Sequence, residues 1–82
     1  MKEFITKGTI KKIKRLKNSY VGNPAYHIVF KTDTDILVGR TATNAILGYE
    51  CSWTWEGEEK TLAYHVMKNG NLIFDRLVEE VK

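Results

Sequence analysis

The chain has 82 residues, of which 43% are hydrophobic and 28% are charged, and its net charge is +3. This composition is too apolar for a disordered chain and is typical of a folded domain. A chain of this length builds one small core, so we expect residues 1–82 to form a single domain. The length excludes a second domain, a cofactor crevice between domains and a doubly wound sheet.

Residues 4–17 fit two interpretations. Apolar residues at every third position from Ile10 to Leu16 would suit the apolar stripe of a short basic helix. The glycine, the threonines and the isoleucines of the same segment favour a strand instead. A bulge near Lys11 and Lys12 would reconcile the spacing with a strand, because a bulge adds one residue and shifts the face of the residues that follow. We therefore predict a bulged strand.

The next segments indicate a loop, a strand, a turn and another strand. Residues 18–24 have the composition of a loop and end in Gly-Asn-Pro, and a proline holds the residue before it in an extended or turn conformation. Residues 25–31 alternate, with Tyr26, Ile28 and Phe30 on one face, which predicts a strand. Residues 32–35 are predicted as a turn and residues 36–41 as a third strand.

The second half of the chain predicts one short helix and two or three further strands. Thr41 or Thr43 can cap a helix that Gly48 would end in a left-handed conformation. Residues 51–55 alternate in polarity, which favours an extra strand, and residues 56–59 resemble a turn. Asn69 followed by Gly70 is a strong hairpin signal, so we expect strands over residues 60–67 and 71–81.

The predicted order of elements is therefore β-β-β-α-β-β. A five-stranded barrel with one helix between its third and fourth strands is the arrangement of the OB-fold. A closed barrel also protects the sheet edges that an open sheet would expose. We predict a mostly β protein with a small OB-like barrel. The second interpretation is an SH3-like barrel, in which residues 41–49 would form only a 3₁₀ turn.

The first thirty residues carry a resemblance. Gly-Thr-Ile at residues 8–10, Arg-Leu at 15–16, Asn-Ser at 18–19 and Gly-Asn-Pro at 22–24 are similar to a pattern in small OB-like proteins of phages, prophages and actinobacterial genomes. The resemblance implies a small β-rich module from a mobile element and assigns no function to any residue. The chain departs from the pattern in a longer segment over residues 51–59, which contains two tryptophans and three glutamates.

Other features disfavour several functions and locations. The single cysteine, Cys51, forms no internal disulfide, and the first residues show no apolar signal segment, so we expect a cytoplasmic protein. No apolar run is long enough to cross a membrane. The sequence has no zinc-ligand spacing, phosphate-binding glycine loop or catalytic-triad order. We therefore expect no metal, no cofactor and no enzymatic activity.

Positive charge is concentrated toward one end of the chain. Residues 1–31 contain eight basic residues and one acidic residue, a net charge of +7, whereas residues 32–82 carry a net charge of −4. The lysines alone would protect an edge strand from aggregation, but phosphates favour such a track and nearby tyrosines can stack on bases. We predict binding of single-stranded DNA or RNA, without strong sequence preference, by Lys11, Lys12, Lys14, Arg15, Lys17, Tyr20, Tyr26, Lys31 and Arg40.

Residues 51–59 suggest an alternative function. Trp53 and Trp55 would share one face of a strand, where they would either fill the core or form a binding hot spot. The neighbouring glutamates disfavour contact with phosphate and suit a partner with a basic surface. The alternative prediction is a protein-interaction module, for instance a phage factor that binds a host protein, acting as a monomer or homodimer through Trp53, Trp55, Glu56 and Glu58.

Overall fold

The computed structural model describes residues 2–18, 22–42 and 47–78, and in it five strands close into a barrel. The order is β1-β2-β3-β5-β4, with β3 and β5 parallel and all other neighbours antiparallel. The prediction of a mostly β barrel with a short helix between the third and fourth strands is confirmed. The elements are β1 (Phe4–Leu16), β2 (Ala25–Lys31), β3 (Ile36–Thr41), α1 (Leu47–Glu50), a 3₁₀ turn (Trp53–Trp55), β4 (Glu59–Val66) and β5 (Leu72–Leu77).

The first strand is long because it pairs with two neighbours. It pairs with β4 over residues 4–9 and with β2 over residues 9–16. The register shifts between Ile10 and Lys12, so the bulge lies where the sequence predicts it. The bulge turns both Ile10 and Ile13 toward the interior although they are three residues apart. This geometry explains a spacing that also resembles a helix.

The barrel interior is filled by large apolar side chains from four of the strands. Phe30 and Phe74 are fully buried and meet edge to face, with their ring centroids 6.0 Å apart. Ile10, Ile28 and Leu62 are fully buried around them. Each such side chain contributes roughly 1.5–3 kcal/mol relative to an exposed one. Because strand residues alternate between faces, the residues between these core positions point to solvent.

The barrel closes through a short parallel pairing between β3 and β5. The pairing runs from Gly39 opposite Leu72 to Thr41 opposite Phe74. A Cβ atom at Gly39 would collide with the backbone carbonyl oxygen of Leu72. The glycine therefore lets the two backbones approach closely enough to close the sheet.

The segment before β4 closes one end of the barrel, and here the prediction of an extra strand is wrong. Residues 51–55 form no strand, because Ser52 caps the 3₁₀ turn and its Oγ accepts a hydrogen bond from the N–H of Thr54 at 3.3 Å. Residues two apart in such a turn point in different directions, whereas in a strand they share a face. Trp55 is accordingly buried in the core, while Trp53 is 74% exposed.

The described part of the helix, Leu47–Glu50, continues past Gly48, which the sequence predicts as its end. Thr41 is the last residue of β3 and not a helix cap, and Thr43 lies outside the described residues. Gly48 lies within α1 and does not adopt the left-handed conformation expected of it. A Cβ atom at Gly48 would collide with the carbonyl oxygen of Pro24. This glycine therefore allows α1 to pack against the chain that enters β2.

In a regular strand over residues 71–81, side chains would alternate between the two faces of the sheet, but this alternation is interrupted within β5. The register between β4 and β5 skips Asp75, which is the extra residue of a bulge. As a result Leu77 packs on the core side, and Arg76 is exposed. The strand ends at Leu77, and residues 79–81 lie outside the part of the chain that the structure describes.

We expect the two tryptophans to differ in their effect on stability. Trp55→Ala removes a core side chain and should lower the free energy of unfolding by about 3–5 kcal/mol. Trp53→Ala removes an exposed one and should change it by less than about 0.5 kcal/mol. Urea unfolding followed by circular dichroism measures both. If Trp55→Ala does not fold, Trp55→Phe should still lower the midpoint relative to Trp53→Phe. Equal losses at the two positions would contradict this arrangement.

Candidate nucleic-acid interface

The solvent side of β1, β2 and β3 collects residues that are far apart in the sequence. Residues directly opposite each other in antiparallel strands point to the same side of a sheet. Lys12 lies opposite Val29, which lies opposite Val38 on β3. One row further on, Lys14 lies opposite His27, which lies opposite Arg40. We call the surface formed by these two rows the outer face; its residues are Lys12, Lys14, His27, Val29, Val38 and Arg40.

Two more of the predicted cations border the outer face. Lys11 lies in the bulge and Lys31 ends β2, and both line a polar cavity of about 420 Å³ together with Lys7. The carboxylates of Asp33 and Glu59 stand at the same cavity, and Glu59 pairs with Lys7 at 3.6 Å. This side of the barrel therefore carries five of the seven predicted phosphate-binding cations, namely Lys11, Lys12, Lys14, Lys31 and Arg40.

These five cations differ from the other basic residues in their surroundings. Among the residues that the structure describes, none of the five has an acidic side chain within 4.0 Å, the distance of an ion pair. The recorded ion pairs lie elsewhere: Lys60 pairs with Glu58 at 3.2 Å and Arg76 with Glu3 at 2.8 Å. The positive charge of the outer face is therefore not neutralised locally and remains available to an anionic ligand.

A groove runs along the edge of the outer face. Its volume is about 360 Å³, and it lies between β3 and the turn that joins β4 to β5. Volumes of this size are typical of small-ligand sites. Leu16, Val38 and Leu72 supply apolar side chains to the groove, and His27, Arg40 and Asn71 supply polar ones. The groove therefore combines an apolar floor with a positively charged edge.

A second cavity, of about 440 Å³, lies on the far side of Arg40. Arg40 and Asn71 line both spaces, so the groove and this cavity are neighbours. The cavity contains a hydrogen-bonded pair in which Nδ1 of His65 lies 2.7 Å from Oδ2 of Asp75. Sequence reasoning missed this pair. The sequence contains one indication of it: the Asn-Gly turn predicts a hairpin, and a hairpin brings β5 residues across from His65 on β4.

Arg15 differs from its basic neighbours because its exposed guanidinium is bonded to the base of the hairpin. Its guanidinium donates hydrogen bonds to the carbonyl oxygens of Leu16 at 2.8 Å and Ala25 at 3.1 Å, and to Oδ1 of Asn18 at 2.5 Å. It also lies 5.3 Å from the ring centroid of Tyr26. Arg15 therefore ties the ends of β1 and β2 together, and three hydrogen bonds within the protein engage its five N–H donors.

Tyr26, the predicted stacking tyrosine that the structure describes, does not lie on the outer face. Tyr26 pairs with Arg15 across the strands, on the side of the sheet that faces the core. Tyr20 lies outside the described residues, and Lys17 follows the end of β1 in the loop. The groove is lined by aliphatic side chains instead of aromatic ones.

The structure separates the residues of the alternative partner surface. Trp55 belongs to the core, and Oε2 of Glu56 accepts a hydrogen bond from the N–H of Ile13 at 3.2 Å. Glu58 pairs with Lys60, and its carbonyl oxygen accepts a hydrogen bond from the backbone of β1 at 2.9 Å. Trp53, Glu56 and Glu58 are exposed, and Trp53 is 74% exposed.

Residues with reactive or metal-binding side chains are dispersed. Burial raises the pKa of the Cys51 thiol to about 11, and Cys51 packs in the core. A thiol protonated at neutral pH is a poor nucleophile. Among residues 2–18, 22–42 and 47–78, no group of three or more His, Cys, Asp or Glu residues is placed to hold a metal ion. The same residues contain no helix long and apolar enough to span a membrane.

The chain matches no family model, no curated protein and no solved structure at a significant level. The resemblance to small proteins of phages and actinobacteria therefore stays a prediction. Any statement about function has to be argued from the geometry of the barrel itself.

We expect Arg15 to contribute to stability more than its neighbours on β1. Arg15→Ala removes three hydrogen bonds at the base of the hairpin and should lower the free energy of unfolding by about 1 kcal/mol, since the site is exposed. Arg15→Lys keeps the charge but not the fork of donors, so it should restore only part of the loss. Lys14→Ala is the matched control and should be neutral in urea unfolding. A neutral Arg15→Ala would refute the structural role.

Proposed function

We propose that this barrel binds single-stranded nucleic acid through the outer face, without strong sequence preference. The observation that carries the proposal is the set of five cations on one side of the barrel, none of which forms an ion pair within 4.0 Å with a described residue. Phosphates of a nucleic acid chain neutralise such a track and release counterions on binding. The residues proposed to contact phosphates are Lys11, Lys12, Lys14, Lys31 and Arg40.

The groove favours a single strand over a duplex. Its floor is formed by Leu16, Val38 and Leu72, which bury apolar area only against the faces of unstacked bases. Duplex bases are already stacked on one another and do not offer those faces. Aliphatic side chains accept any base, so the contacts favour affinity without sequence selection.

The arrangement of the strands supports the same location for the site. The order β1-β2-β3-β5-β4, with a helix between β3 and β4, suits an OB-fold. OB-folds bind oligonucleotides on the face of strands 2 and 3, between the loops that follow strands 1 and 4. The groove lies on β2 and β3 and reaches Gly70 and Asn71 in the loop after β4. This support is an analogy at the level of fold and is secondary to the charge distribution.

We expect charge reversal on the outer face to abolish most of the binding. The double variant Lys12→Glu and Lys14→Glu should weaken binding of a labelled oligo-dT by roughly tenfold or more at low salt. The slope of log affinity against log salt should be near −3.5 for about five phosphate contacts in the parent, and about 1.4 shallower in the variant. Fluorescence anisotropy at several salt concentrations measures both quantities.

A charge-matched control separates a local effect from net charge. Lys2→Glu changes the net charge by the same amount as Lys14→Glu, but Lys2 lies beside Phe4 at the start of β1. Lys2→Glu should therefore bind nearly as well as the parent. Equal weakening by both single variants would show that net charge alone drives binding. Parent-like binding by the folded double variant would exclude the outer face as the site.

An exposed aromatic pair favours protein binding as a second candidate function. Tyr49 is 64% exposed and Trp53 is 74% exposed, on the short segment that closes the barrel. Exposed aromatic residues are common hot spots in protein interfaces. After nuclease treatment of a cell lysate, a specific partner should be retained by the parent and by the Lys12→Glu, Lys14→Glu variant. It should be lost on Trp53→Ala, and retention by Trp53→Ala would exclude this surface.

A further inference from the structure

We propose that the cavity beyond Arg40 makes the protein prefer RNA over DNA, because His65 accepts a hydrogen bond from a ribose 2′-hydroxyl. The inference rests on the proposed function, since it assigns a sugar site to the same nucleic acid chain. The 2′-hydroxyl is the group by which a protein distinguishes RNA from DNA at a given position.

The hydrogen bond between His65 and Asp75 assigns the tautomer of the neutral imidazole. A carboxylate only accepts, so in the neutral imidazole Nδ1 carries the hydrogen and donates to Oδ2 of Asp75, 2.7 Å away. Nε2 is then an acceptor. The His65 side chain is 19% exposed and that of Asp75 is 25% exposed, so both are held by their surroundings. Because His65 lines the cavity, we assign Nε2 as the acceptor for a hydroxyl donor bound there.

The strand register places this acceptor next to the proposed phosphate track. Arg40 lies opposite Ile73 on β5, and Ile73 lies opposite His65 on β4. Neighbouring strands are about 4.8 Å apart, so the backbones of Arg40 and His65 are separated by about 10 Å. If the side chain of Arg40 binds a phosphate, the ribose attached to that phosphate would fit in the part of the cavity next to His65. The cavity between the two residues has a volume of about 440 Å³.

The charges in the cavity fix the orientation of the nucleotide. The carboxylate of Asp75 stands at the β4–β5 end and repels a phosphate, whereas Arg40 attracts one at the other end. The sugar, which is neutral, therefore lies beside His65. The turn after β4, in which the N–H of Met67 donates to the carbonyl oxygen of Asn71 at 2.8 Å, lines one side of the cavity. A deoxyribose lacks the 2′-hydroxyl, so it offers no hydrogen-bond donor to the acceptor of His65.

The test compares sugars on a constant base and a constant length. Anisotropy titrations at one salt concentration and pH 8 use twelve-residue oligomers of uridine, deoxyuridine, 2′-O-methyluridine and 2′-fluorouridine. We expect the uridine oligomer to bind about fivefold more tightly than the deoxyuridine oligomer, the equivalent of one neutral hydrogen bond. The 2′-O-methyl and 2′-fluoro oligomers lack the donor and should bind as deoxyuridine does.

Two variants assign the preference to the proposed residues. His65→Phe should bring uridine and deoxyuridine affinities together, and Asp75→Ala, which releases the imidazole, should reduce the preference. Tyr64→Phe is the matched control, because Tyr64 precedes His65 on β4 but packs against the core. It should leave the ratio of the two affinities unchanged. Circular dichroism confirms that each variant is folded.

The outcomes separate this inference from the function on which it rests. Binding of both oligomers with equal affinity by the parent protein overturns the RNA preference and leaves the proposed function intact. A preference that persists in both His65→Phe and Asp75→Ala also overturns the inference. Failure of the parent protein to bind either oligomer at low salt overturns the proposed function itself.

Discussion

The bulge between Ile10 and Lys12 lets β1 pair with β4 over its first part and with β2 over its second. Without the extra residue, Ile10 and Ile13 could not both face the core, since side chains alternate along a regular strand. The same shift places Lys11 and Lys12 on the solvent side together. One local irregularity thus keeps both isoleucines in the core and places two lysines together on the surface.

The bulge also explains why the acidic segment before β4 lies against the most basic strand. At the bulge the backbone of β1 lacks a strand partner on one side, and buried polar groups of the backbone need partners. Gly57 donates to the carbonyl oxygen of Ile10 at 2.7 Å, and Ile10 donates to the carbonyl oxygen of Glu58 at 2.9 Å. Glu56 accepts from Ile13. Residues 51–59 therefore help to complete the barrel, with Trp55 filling its end.

The side of the sheet on which a cation lies determines what it does. Arg15 and Lys14 are neighbours in the sequence but lie on opposite sides of the sheet. Arg15 donates hydrogen bonds to Leu16, Ala25 and Asn18, whereas the side chain of Lys14 is exposed to solvent. Arg40 lies on the outer face between the groove and the cavity that holds His65. A single residue therefore links the apolar floor proposed for bases with the acceptor proposed for a sugar.

The sequence by itself determined the features that depend on neighbouring residues. Alternation over residues 25–31, the Asn-Gly turn and the bulge near Lys11 predicted the strands and their order, and the excess of lysine predicted a basic surface. Tertiary structure alone decided what depends on distant residues. Trp55 enters the core because Ser52 caps a turn at an open barrel end, and Asp75 reaches His65 because a bulge displaces it. Periodicity cannot report such contacts, since they arise from packing between elements and not from the pattern within one.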